Sequence, residues 1–127
     1  MVYLSKAEPK TKPAIFLGSS REDLREFPEE VRTEFGYAIV AAQEGGKAPK
    51  AKPLKGIIPG AGILEIVEDF DRNTYRVVYS VKFADFVYVL HAFQKKSKHG
   101  IKTPKHEIDL IRARFAEAKA DYEERKK

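Results

Sequence analysis

The chain has 127 residues, a length that suits one domain, and it contains no cysteine, which removes disulfides and thiolate metal sites from consideration. A hydrophobic fraction of 43% supplies one core, and a net charge of +5 with 34% charged residues points to a compact basic protein of the cytoplasm rather than a disordered polymer. No apolar stretch approaches a membrane span, the N-terminus lacks the apolar core of a signal peptide, and with only three histidines neither a metal nor a cofactor is expected.

Residues 1–12 read as a loosely held, flexible basic extension and 13–127 as a single domain. Residues 14–17 are a short apolar run ended by Gly18, a first strand. Ser19 and Ser20 follow, each trailed three residues later by an acid (Glu22, Asp23), the spacing with which a hydroxyl and a carboxylate satisfy free amides at a helix start. Pro28 falls in the first turn of a second helix running to about residue 43, with Glu29 and Glu30 at its positive dipole end. Val31, Phe35, Ala38, Ile39 and Ala42 recur at helical spacing and mark the face that packs on a sheet.

Residues 44–62 contain five glycines and three prolines and read as a long loop without strand or helix. Three runs rich in β-branched and aromatic residues follow, at 63–68, 74–81 and 86–93. Asp71, Arg72 and Asn73 mark the first turn, Ala84 and Asp85 the second. Connections this short hold no crossover helix, so an antiparallel meander is expected. Thr103 and Pro104 then open a last helix whose apolar face is Ile108, Ile111, Phe115, Ala118 and Tyr122, with residues 123–127 expected to fray. The order is β-α-α-β-β-β-α, an α+β fold with two helices packed on one face of a curved, mainly antiparallel sheet.

Positive charge is concentrated in two loops. Residues 45–57 carry Lys47, Lys50, Lys52 and Lys55, and residues 94–106 carry Lys95, Lys96, Lys98, Lys102 and Lys105, in both cases without an acid. One such loop is as readily a solvated surface; two make nucleic acid the leading partner. Arg76 stands in the middle of an apolar strand, where an unpaired guanidinium is expensive to bury. It is therefore either functional or paired with a carboxylate such as Glu65 or Glu68. Strict alternation in VLHAF puts Val89, His91 and Phe93 on one face and Tyr88, Leu90 and Ala92 on the other. A lone strand histidine is more often a hydrogen-bonded core residue, although imidazole is the natural proton shuttle near neutral pH.

The strings KPLKG (52–56), TYRVVYSV (74–81) and VYVLHAFQKKSKHGIKTP (87–104), with this element order, resemble the RelE/ParE toxin superfamily, in particular its HigB-like, phage-related branch, over residues 13–122. The resemblance implies a type II toxin–antitoxin toxin: a metal-independent endoribonuclease that cuts mRNA on the ribosome and is paired with a HigA-like helix-turn-helix antitoxin. It implies that Arg76 is the substrate-phosphate arginine and that Lys95 or Lys96, just past the last strand, is a catalytic basic residue. Glu65 departs from the lysines that RelE carries on the equivalent strand and is either a base or the partner of Arg76. Ile101 lies near the place of a RelE tyrosine. The catalytic set is then Arg76, Lys95, His91 and Glu65, with Lys52, Lys55, Arg72, Lys96 and Lys98 as substrate-binding cations. The same fold also accommodates a ParE-like non-catalytic toxin that binds DNA gyrase, and the lysine loops alone suit a nucleic-acid-binding phage accessory protein.

Overall fold

The computed structural model describes residues 11–95 and 103–127. Its elements are β1 (Ala14–Phe16), α1 (Ser20–Arg25), α2 (Glu29–Gln43), β2 (Lys52–Pro53), β3 (Ile63–Phe70), β4 (Asn73–Ser80), β5 (Val87–Lys95) and α3 (Lys105–Lys126). The five strands form one sheet in the order β1-β5-β4-β3-β2, with β1 parallel to β5 and every other pair antiparallel. Among the described residues, no helix is long and apolar enough to cross a membrane.

Alternation along the strands splits the core in two. Leu64, Ile66, Tyr75, Val77, Tyr79, Val87, Val89 and Ala92 face the stripe of α2, while Ile63, Val78, Tyr88, Leu90 and Phe93 face Ile111, Phe115 and Ala118 of α3. Leu24 and Phe27, at and just beyond α1, join the α2 side. Each large side chain buried this way contributes about 1.5–3 kcal/mol. Two helices, α1 and α2, pack on one face of the sheet as the element order leads one to expect, and α3 covers the other. α3 cannot share the first face because its own apolar stripe needs a partner and α2 already occupies that side.

Four differences have local causes. β2 arises inside the predicted loop because Pro53, which cannot donate to a ladder, is tolerated on an edge strand, where it sits opposite Leu64. The β3–β4 hairpin closes through Asp71 and Arg72 alone, both with positive φ (50° and 70°), the backbone of a two-residue turn matched to strand twist. Lys12, assigned to the loose extension, is tied to the end of α2: its N–H donates to Gln43 O at 2.9 Å and its carbonyl accepts from Gln43 Nε2 at 2.8 Å. Residues 1–10 of the extension lie outside the described residues. The tail expected to fray stays helical to Lys126, with Arg125 donating to Asp121 at 2.6 Å and lying 5.4 Å from the Phe86 ring centroid.

At the start of α1, the Ser19 hydroxyl donates at 2.7 Å to the Asp23 carboxylate, four residues on rather than the three expected, and accepts no backbone amide: the helix starts where expected, but the capping bonds do not form.

Candidate functional site

Register places three of the predicted cations, Lys52, Arg76 and Lys95, on one face. Lys52 of β2 stands opposite Glu65 of β3, which stands opposite Val78 of β4, which stands opposite His91 of β5; one step along, Val67, Arg76 and Phe93 are aligned, and then Asp69, Thr74 and Lys95. All lie on the α3 side, where α3 covers one end of the sheet.

Arg76 and Glu65 form an ion pair, Nη1 to Oε1 at 2.6 Å, with side chains only 10% and 13% exposed. Glu68, the other predicted partner, is instead taken by Lys50 at 2.8 Å. Arg76 is therefore buried rather than open to a cleft. Lys95 closes β5, two residues beyond the strand end read from sequence, and is 4% exposed. Its Nζ has no hydrogen-bond partner among the described residues. Burial first, then the nearby charge of Arg76, pushes the Lys95 ammonium below its ordinary pKa, while Glu65 pulls the other way. Arg76, Lys95 and Glu65 thus form one charge cluster, with two cations to one carboxylate.

His91 belongs to a second centre. A bulge opposite Val78 and Tyr79 inserts one residue into β5, so Leu90 and His91 both turn toward α3 and Val89 falls on the opposite face from His91. Strict alternation fails at that inserted residue. The ring stacks on Phe93, with centroids 4.6 Å apart, and its Nε2 lies 2.6 Å from Glu107 Oε1. Its Nδ1 is 3.3 Å from Arg114 Nη1, which also donates to Leu90 O at 3.0 Å. Burial lowers the His91 pKa, with Glu107 opposing the shift and Arg114 adding to it.

Glu107 and Arg114 were missed from sequence. The available signal was a charge on an apolar stripe, since Arg114 falls between Ile111 and Ala118 at helical spacing and is buried with them. Lys52, Lys55 and Arg72 are exposed: Lys52 on the site face, Lys55 in the glycine-rich loop, Arg72 at the hairpin tip. Lys96 and Lys98 lie outside the described residues. A cavity of about 430 Å³ opens at the edge of β5 beside His91, between α1 and the first turn of α3.

A small α+β domain with a buried basic centre on a mostly antiparallel sheet is the class these features define. The chain belongs to the phage-derived Gp49-like family, "Phage derived protein Gp49-like (DUF891)", whose model matches residues 22–116, and this family is related to the RelE/HigB toxin group. Among curated proteins none matches the chain.

Proposed function

We propose that the chain is the toxin of a type II toxin–antitoxin system: a HigB-like, metal-independent endoribonuclease of the cytoplasm that cleaves mRNA on the ribosome and is neutralised by a HigA-like helix-turn-helix antitoxin. Family membership supports the toxin class. The observation that carries the catalytic reading is the buried Lys95 ammonium, without a partner among the described residues and beside an arginine whose charge Glu65 already meets. A buried charge left unmatched is unfavourable. One more anion at this place removes the imbalance, and an RNA phosphate supplies it.

In this reading the 2′-hydroxyl oxygen bonds to phosphorus and the P–O5′ bond breaks, giving a 2′,3′-cyclic phosphate and a free 5′-hydroxyl. Glu65 takes the 2′ proton, Lys95 gives one to the departing 5′-oxygen, and Arg76 with Lys95 stabilises the phosphorane. The lowered pKa makes Lys95 a readier proton donor. Lys52, Lys55 and Arg72 hold flanking phosphates, and Lys96 and Lys98 complete the set. His91, engaged by Glu107 and Arg114, shapes the wall of the site.

The test is cleavage of mRNA by the purified chain with and without ribosomes, together with growth on induced expression. Specific cleavage and arrest that a co-expressed antitoxin relieves are the expected results. Growth arrest with intact RNA would turn the assignment to a ParE-like gyrase inhibitor, and neither effect would turn it to an accessory nucleic-acid-binding protein.

A further inference from the structure

We propose that the cavity at the edge of β5 is a nucleobase subsite that serves the phosphate-binding centre and favours bases presenting N–H donors, guanine first, over uracil. The proposal rests on the nuclease reading and adds to it the part of the nucleotide that decides which sequence is cut.

The cavity's walls differ in kind from the cationic centre. Phe27, Tyr75 and Phe93 supply ring surface, Asp23, Glu26 and Glu107 supply carboxylates, and among the described residues no lysine or arginine lines it. At about 430 Å³ it falls in the range of small-ligand pockets. Among the described residues, no three acids or histidines stand close enough together to hold a metal ion. Rings with hydrogen-bond acceptors at their rim suit a flat heterocycle that stacks and donates.

The second observation is Lys95. Its buried ammonium, without a partner among the described residues, calls for an anion, and it sits on the same strand segment that lines the cavity. Phe93 joins the two places: it lines the cavity, it is the cross-strand neighbour of Arg76, and it lies two residues from Lys95 on the same face. Facing cross-strand side chains stand about 5 Å apart at Cβ, and alternate residues on a strand about 6.8 Å apart. A phosphate at Lys95 and Arg76 therefore leaves its own base within reach of the cavity.

The acceptors have defined partners. Ser19 donates to Asp23 Oδ2 at 2.7 Å, leaving Oδ1 for a ligand. Glu107 receives His91 at Oε1. A carboxylate accepts two neighbouring N–H groups, which guanine offers from N1 and N2; adenine and cytosine offer one amino group beside a ring acceptor; uracil presents carbonyl oxygens on both sides of its single N–H. A site built of acceptors rejects the base that meets it with oxygens, because those groups are left desolvated and unpaired.

The experiment is an NMR titration of the full chain with 3′-GMP, 3′-AMP, 3′-CMP, 3′-UMP and inorganic phosphate. We expect every probe to shift Lys95 and Arg76 signals, 3′-GMP to bind about tenfold or more tightly than 3′-UMP, and Glu26→Gln, a change at an exposed position, to shrink that ratio. Equal affinity for the four nucleotides, or a preference for 3′-UMP, overturns the subsite and leaves the nuclease reading standing. Failure of phosphate and all nucleotides to bind overturns both.

Discussion

Arg114 Nη1 lies 3.3 Å from Nδ1 of His91, and a guanidinium can only donate. Nδ1 must therefore accept, so the ring proton sits on Nε2 and points at Glu107 Oε1, 2.6 Å away. The contact assigns a neutral imidazole of one tautomer, and a second ring proton would confront the guanidinium directly.

A pH dependence follows with a definite sign. Burial and Arg114 hold the His91 pKa below the ordinary imidazole value, against the opposing pull of Glu107 and Asp23. The unfolded chain then binds more protons than the folded one just below about pH 6.5. His91 contributes its full stability above that value and loses it as pH falls toward the folded pKa. Thermal unfolding at about pH 7.5 and about pH 5.5 should show a larger drop for the wild type than for His91→Gln. Parallel drops would mean that folding leaves the His91 pKa unchanged, and a smaller drop for the wild type would mean that Glu107 holds the ring protonated.

Two glycines give opposite expectations. Gly18 has φ +54°, and a Cβ there would stand 2.5 Å from Arg114 Nη2. Gly18→Ala strains the backbone and pushes the buried guanidinium off Leu90 and His91, for a loss of roughly 2 kcal/mol or more. Gly36 lies inside α2, and its Cβ would meet nothing within 4 Å. Gly36→Ala should instead stabilise by about 0.5–1 kcal/mol through helix propensity. Denaturant midpoints of the two variants check both signs.

Much of this architecture is legible in sequence because periodicity reports burial directly. The stripe of Val31, Phe35, Ala38, Ile39 and Ala42 is the buried face of α2, and the three later strands pair as the meander that their short turns require. The same logic located Arg76 as a charge that needs an explanation, and the Glu65 partner was one of the two it offered. What periodicity could not reach was anything set by a single inserted residue or by a distant contact. The β5 bulge reverses the face of His91 relative to Val89, and nothing local in VLHAF marks it. Lys95 reads as a loop lysine because seven of the next ten residues are polar or basic, yet Thr74 across the ladder holds it in the strand.

The Arg76–Glu65 pair makes single truncations informative. Arg76→Ala should lower cleavage by about 100- to 1,000-fold through lost phosphorane stabilisation. It should also cost stability, roughly 3 kcal/mol or more, because Glu65 is left in a largely buried position without its guanidinium. The double variant Glu65→Gln with Arg76→Met removes both charges, so it should recover most of the stability and none of the cleavage. Measuring melting and cleavage on the same samples separates the two effects. A double variant as unstable as Arg76→Ala would show that the single change acts through lost packing rather than through a stranded charge.

Lys95 carries the sharpest expectation, since function and stability should move in opposite directions. Its ammonium is buried, has no hydrogen-bond partner among the described residues, and stands near Arg76, so folding penalises the protonated form. Lys95→Met keeps the length of the stem and removes the charge, and should raise stability by about 1 kcal/mol, or about 3–5 °C in melting temperature for a domain of this size. The sign with pH is fixed by the depressed pKa. Between the folded value and the ordinary lysine value the unfolded chain binds more protons, so the wild type gains stability as pH rises and the advantage of Lys95→Met narrows in alkaline solution. Phosphate supplies the complementary readout: an anion that binds only the folded wild type should raise its melting temperature and leave Lys95→Met unmoved, while cleavage by the variant is lost. A variant less stable than wild type at neutral pH, or one that phosphate still protects, would remove Lys95 from the anion site and leave its burial a matter of packing alone.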